Sequence, residues 1–179
     1  PGRVACPRPG LICGARDTTG RFSYWPIRAS EGGTMIAPGT PDDPMQIIDV
    51  RDLARFINRT IEDRCTGPFN VVTAAGEVTV GSVIGDCIAA AGTETTPEWI
   101  DAEFLGANGV QAWQHMPAWV PPTTPGYAGF GLAATGRARK AGLTCRPIRE
   151  TAQAVLEYYR SRPAILAERE GDAFDRQQW

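Results

Sequence analysis

The sequence predicts an α/β protein whose strands run parallel. Short apolar runs that read as strands alternate with amphipathic segments that read as helices. Clusters of Gly, Pro and Asp separate the two kinds of segment. Several helical segments open at Asp, Thr or Pro and close at Gly. With 179 residues, 42% hydrophobic and 21% charged, the chain is one domain, or one domain with an added piece, and can bury a sizeable core.

Residues 4–13 form a strand-like run, Val-Ala-Cys-Pro-Arg-Pro-Gly-Leu-Ile-Cys, interrupted at Pro7 and Pro9 and ending at Gly14. A loop to Gly20 precedes a helix from about Arg21 to Ser30, capped by Thr18 or Thr19 and closed by Gly32-Gly33. Thr34–Ala37 and Met45–Ile48 are short strands on either side of a Pro-Gly-Asp turn cluster. Asp49 then caps a helix, with Asp52 placed in its first turn where a carboxylate favours the dipole. Val50, Leu53, Ala54, Ile57 and Ile61 recur at helical spacing and predict its buried face, with Arg51, Arg55 and Arg59 solvated on another.

Phe69–Thr73 is a buried-type strand. The helix 80–91 points Val83, Ile84, Cys87, Ile88 and Ala91 inward and ends at Gly92. Glu98–Ile100 is a strand and Ala102–Gly106 a short helix. Residues 109–131, rich in aromatics and proline, predict irregular structure with a large apolar surface. A short helix over 134–141 leads to Pro147, which opens a helix to about Ser161 with Ile148, Ala152, Val155 and Tyr159 buried. The tail after Pro163 reads as helical and loosely docked.

A net charge of -2 gives no reason to expect nucleic acid or an acidic membrane as the main partner. Lys140 is the sole lysine among 18 basic residues, which reads as the codon bias of a GC-rich bacterium. The five cysteines show no Cys-x-x-Cys spacing, which argues against a metal site or a disulfide framework and for reduced thiols in the cytoplasm. No run approaches the ~18 apolar residues that span a bilayer. The lone His115 has no Ser, Cys or carboxylate at a spacing that suggests catalysis.

Four segments in order carry more information: Arg8-Pro-Gly-Leu-Ile-Cys-Gly14, Arg21-Phe-Ser-Tyr-Trp25, Gln46-Ile-Ile-Asp-Val-Arg-Asp-Leu-Ala54 followed by Gly67-Pro-Phe-Asn-Val71, and Gly142-Leu-Thr-Cys-Arg-Pro147. Together they resemble the C-terminal half of the extended short-chain dehydrogenase/reductase family, the NAD-dependent epimerase/dehydratase group. The resemblance implies the C-terminal part of a Rossmann-type doubly wound parallel sheet plus a small α/β substrate-binding lobe. Residues 1–20 and 45–75 would be the terminal strands and helix of the incomplete Rossmann domain, and 21–44 with 76–179 the lobe. It implies NAD or NADP as cofactor, a small-molecule substrate, and hydride transfer to or from a carbonyl or alcohol carbon.

By the same resemblance, Pro9, Gly10, Leu11 and Ile12 line the nicotinamide ribose and carboxamide, mostly through backbone groups. Arg16, Asp17, Phe22, Trp25, Gln46, Trp113 and Trp119, with Tyr127 nearby, would shape the substrate pocket, Arg16 pairing with an anionic or carbonyl group. Nucleotide-sugar enzymes of the family often place an arginine where Gln46 stands, and its absence favours an apolar carbonyl or alcohol substrate. The family's Gly-rich phosphate turn and Tyr-x-x-x-Lys dyad are absent from these residues, so no catalytic residue is assigned. Gly129-Phe-Gly-Leu-Ala-Ala134 matches the phosphate fingerprint in letters, but it follows Pro121-Pro-Thr-Thr-Pro125 instead of a hydrophobic strand.

The expectation is a piece of a longer enzyme, inactive alone and needing the missing N-terminal half. The alternative is a non-catalytic NAD(P)-sensing or protein-interaction module related to atypical family members. Strands without neighbours predict aggregation, homodimerisation or marginal stability when the chain is expressed by itself.

Overall fold

A computed structural model describes residues 4–17, 19–163 and 165. The expected helical tail beyond Pro163 lies outside the described residues apart from Ile165. The first strand segment is two strands, β1 (Ala5–Pro9) and β2 (Leu11–Cys13). Helix α1 (Tyr24–Ser30) and strand β3 (Gly33–Pro38) follow, then β4 (Ile47–Asp49) and α2 (Val50–Glu62). Next come β5 (Gly67–Val71), α3 (Val80–Ala91), β6 (Thr95–Ile100) and α4 (Ala102–Ala107). Residues between α4 and α5 (Gly136–Lys140) are irregular, as expected, and α6 (Ile148–Arg160) closes the described fold.

Every strand pair is parallel: β1 with β5, β2 with β4, and β3 with β6. The expected single strand over 4–13 therefore changes partner at Gly10. Prolines at 7 and 9 cannot donate to a ladder, and Gly10 sits where an added Cβ would come within 2.6 Å of the Val72 side chain. The chain bends there and exchanges β5 for β4 as its neighbour, a fork whose two arms are tied by the Thr73 N–H just past β5, which donates to the Ile47 carbonyl at 2.9 Å.

One core cluster joins α1, α3 and α6 to β3, with Phe22, Trp25, Met35, Val83, Cys87 and Val155 among its buried members. A second gathers Ile48, Leu53, Phe56, Phe69, Val71 and Leu143. Burial pushes the thiols of Cys13 and Cys87 well up, so both act as small protonated hydrophobes. No described helix is long and apolar enough to cross a membrane.

Between the two clusters lies a buried charged network. The side chain of Asp49 caps α2, accepting from the Arg51 backbone N–H at 2.8 Å and from the Thr151 hydroxyl at 2.8 Å. Asp52 is 1% exposed and accepts from the backbone N–H of Arg146 at 2.8 Å and from its guanidinium at 2.7 and 3.1 Å. Arg55 adds a further bond to Asp52 at 3.0 Å. The network fastens α2 and β4 to the segment that leads into α6.

This network also corrects the expected face of α2. Of the five apolar residues predicted to be buried, only Leu53 is; Val50, Ala54, Ile57 and Ile61 are exposed. With Asp52 turned toward Arg146, helical geometry sends 52, 53, 56 and 60 inward and the 50/54/57/61 stripe outward. Arg51, Arg55 and Arg59 sit on the exposed surface as expected, each paired with an acid.

Removing one partner from a buried ion pair is strongly destabilising, so Asp52→Ala is expected to cost about 3 kcal/mol in denaturant unfolding. Replacing both partners, Asp52→Leu with Arg146→Met, should recover part of that loss. Burial opposes ionisation of Asp49 and Asp52, but hydrogen bonds from Arg51 and Arg146 outweigh it and hold both carboxyls below their ordinary range. A depressed carboxyl stabilises the fold above its unfolded pKa. Stability should therefore be flat above about pH 4 and fall as the pH drops below it. In Asp52→Ala that acid-side fall should be shallower, read by urea titrations at a series of pH values.

Candidate functional site

The fork between the strand pairs opens into a groove of about 610 Å³. Its floor is the bend itself, Arg8, Pro9, Gly10, Leu11 and Ile12. Met45 and Gln46 approach from the start of β4, and Asn70 and Val72 from the end of β5. The opposite wall is irregular chain: Arg21 before α1, Trp113 and Ala118, and Gly129, Phe130, Gly131 and Ala133.

That wall is held by specific contacts. Gln46 places its amide against the 133 turn, donating to the carbonyls of Thr73 at 2.8 Å and Ala133 at 2.9 Å and accepting from the Ala133 N–H at 2.7 Å. Asn70 donates to the Ala134 carbonyl at 2.9 Å. Gly131 has φ +77 and approaches Pro44 so closely that a Cβ would meet its carbonyl oxygen at 2.8 Å. The glycine-rich 129–134 segment is thus a packed groove wall; the helix after it, α5, has five residues.

Trp113 and Ala118 adopt left-handed backbone, φ 68 and 64, a conformation that side chains other than glycine rarely take. This turns the Trp113 ring into the groove, edge-to-face on Phe130 at 5.6 Å, with the Arg21 guanidinium over it at 5.2 Å.

The residues expected to form sites divide into three groups. Pro9, Gly10, Leu11, Ile12, Gln46 and Trp113 come together around the groove. Phe22, Trp25 and Trp119 are buried in the main core; the Trp25 indole donates to the Pro117 carbonyl at 3.0 Å and Trp119 to the Asp43 carboxylate at 2.8 Å. Asp17 and Arg16 belong to the loop before α1. Asp17 organises the helix entrance by accepting from the N–H groups of Phe22 and Ser23 at 3.2 and 3.3 Å, the part expected of Thr18 or Thr19. Arg16 is exposed, with φ 66, and does not line the groove. Tyr127 backs Phe130 from outside, and His115 accepts from the Gln111 N–H at 2.9 Å within its own turn.

Sequence reasoning missed Arg8, Arg21, Asn70, Val72 and Phe130 as groove residues. Arg8 and Arg21 open the Arg8–Gly14 and Arg21–Trp25 segments, but nothing in their spacing shows where a long side chain points. Phe130 lay in the segment set aside for its resemblance to a phosphate loop.

No protein-family model and no curated protein matches the chain. Solved structures do. The Bordetella bronchiseptica enzyme WbmH in complex with NAD+ is similar at a TM-score of 0.59 and 18% identity, over 88% of this chain and 46% of that one. RMD from Pseudomonas aeruginosa complexed with NADPH is similar at 0.57 and 16%, over 89% and 49%. The dTDP-4-dehydrorhamnose reductase of Bacillus anthracis in complex with NADP is similar at 0.58 and 15%, over 86% and 48%. These likenesses establish a shared α/β fold, and the chain spans about half the length of the structures it matches.

Because two hydrogen bonds hold the 133 turn to Gln46 and a third ties Gln46 to Thr73, Gln46→Ala is expected to cost about 2 kcal/mol. It should also open residues 126–134 to limited proteolysis before global unfolding begins. Cleavage there at the wild-type rate would show that Gln46 does not hold the wall.

Proposed function

We propose that the chain is the substrate-binding portion of an NAD(P)-dependent oxidoreductase or epimerase of the extended short-chain dehydrogenase type. The carrying observation is the fork: a bent strand with glycine at its apex, opening on a groove at the carboxyl ends of the parallel strands β1 and β5. Ligands of open α/β sheets bind at such positions. The solved structures that share the fold were determined with NAD+, NADPH or NADP, which supports the same reading.

The groove's own residues suit the nicotinamide end of such a cofactor. Leu11, Ile12, Met45 and Val72 offer apolar surface to a flat ring, Gly10 leaves the backbone approachable, and the volume lies within the usual small-molecule range of about 300–1,000 Å³. Pro9 to Ile12 would hold the carboxamide and ribose side, as the sequence motif implies. When bound, the cofactor supplies or accepts the hydride at a carbonyl or alcohol carbon. Trp113 and Phe130 then confine the substrate on the opposite side and exclude water.

On this reading, residues 1–20 and 45–75 close a dinucleotide-binding sheet, 21–44 and 76–179 form the substrate lobe, and the groove runs between them. Pyrophosphate binding and proton transfer are assigned to a separate N-terminal half, since no Tyr-x-x-x-Lys occurs in these residues. Two surfaces support that half as a partner: the outward stripe of Val50, Ala54, Ile57 and Ile61 on α2, and strand β1, whose parallel ladder has one neighbour among the described residues. Parallel strands are ordinarily buried on both sides. Without the half, the same surfaces favour homodimerisation. A reducing cytoplasm suits the protonated thiols of Cys13 and Cys87.

The test is turnover by the product of the full reading frame that contains these residues. It should carry a Gly-rich turn and a Tyr-x-x-x-Lys, and should oxidise NADH or NADPH against a panel of carbonyl compounds. The 179 residues alone should give no turnover. Gly10→Val should lower kcat/KM about 100-fold by displacing Val72 and the groove floor. Full activity in Gly10→Val, or turnover by the isolated chain, would contradict the proposal.

A further inference from the structure

The groove holds an unresolved polar imbalance. Gln46 and Asn70 direct their side chains at backbone carbonyls and an N–H, and the Thr19 hydroxyl donates to Asp17 at 2.6 Å. The charged side chains in the lining are Arg8 and Arg21, and no Asp or Glu lines the groove. Among the described residues, Nε of Arg21 is the buried side-chain polar atom left with no hydrogen-bond partner. A buried donor without a partner carries a desolvation cost, and native folds leave few such groups without a reason.

The surroundings of Arg21 give that reason. Its guanidinium lies over the Trp113 ring, a contact that holds the planar group in place without using any of its N–H donors. Trp113 is itself fixed by its left-handed backbone and by Phe130. A guanidinium held by one face, with a buried N–H unsatisfied, is prepared for a planar or tetrahedral oxyanion. Arg8, exposed at the groove floor, adds a second positive charge.

We propose that Arg21, aided by Arg8, is an anion-recognition site in this groove, and that the ligand carries a carboxylate or phosphate head on an apolar or aromatic body. The body lies against Trp113, Phe130 and Leu11; the head accepts from Arg21. This rests on the groove being the substrate pocket, and it replaces Arg16 with Arg21 as the anion partner. It also narrows the expected apolar carbonyl or alcohol substrate to one with an anionic end.

The experiment is a titration of the 179-residue chain, without cofactor, with benzoate, phenyl phosphate and the neutral benzyl alcohol. The readouts are the Arg21 Nε–H resonance in ¹⁵N–¹H spectra and tryptophan fluorescence. The Nε–H signal should shift with one or both anions and not with the alcohol, and the tighter anion identifies carboxylate or phosphate as the head. Arg21→Gln should weaken anion binding about tenfold or more, and Arg21→Lys should restore it only in part because lysine lacks the planar fork. Circular dichroism checks that each variant is folded; if Arg21→Gln is not, the wild-type Nε–H shift decides alone. An unmoved Nε–H, or equal affinity for benzyl alcohol, overturns the proposal. Anion binding in a full-length protein that shows no turnover with NADH or NADPH would leave this site standing and remove the reductase reading.

Discussion

The buried pairing of Asp49 and Asp52 with Arg146 is the constraint on which the rest of the structure depends. It acts on backbone as well as charge: Asp49 caps α2, and Asp52 accepts from the main chain of the segment entering α6. Since Asp49 is also the last residue of β4, the network fixes where that strand ends and how α2 leaves it. β4 in turn pairs with β2 and, through Thr73, with the end of β5. Both arms of the fork are thus positioned by one set of charge-assisted bonds, each stronger than its neutral counterpart.

The fork turns that rigidity into a site. Where the bent strand exchanges β5 for β4, Gly10 carries no side chain, and a groove with a backbone floor opens there. The chain closes it with a wall of irregular structure, tied by Gln46 and Asn70 and stiffened by the Trp113–Phe130 contact. Arg21 is the element of this wall whose hydrogen bonding the protein leaves incomplete. A rigid frame with one unsatisfied donor is the arrangement expected where a ligand completes the structure.

Much of this was readable from residues alone, where the signal is local. The caps at Asp49 and Gly92, the buried face of α6 and the parallel α/β class follow from spacing and turn chemistry. The orientation of α2 was not readable, because its buried face, Asp52, Leu53, Phe56 and Thr60, is less apolar than the exposed 50/54/57/61 stripe, and periodicity points to the latter. The choice is made by Asp52 meeting Arg146, a contact 94 residues apart in sequence. The groove was half legible for the same reason. Pro9–Ile12 lie on one strand motif, whereas Phe22, Trp25 and Trp119 carry the right chemistry and face the core. Trp113 reaches the groove from a left-handed turn, which no composition rule marks.

The central claim is that the bend at Pro9–Ile12 borders a nicotinamide and the Arg21 wall faces it. A crystal structure of the full reading frame's product with NADH or NADPH tests this most directly. The account predicts the nicotinamide ring within about 4 Å of the Pro9–Ile12 backbone, with Arg21 across the groove. A nicotinamide bound elsewhere, with this groove filled by protein, would contradict it.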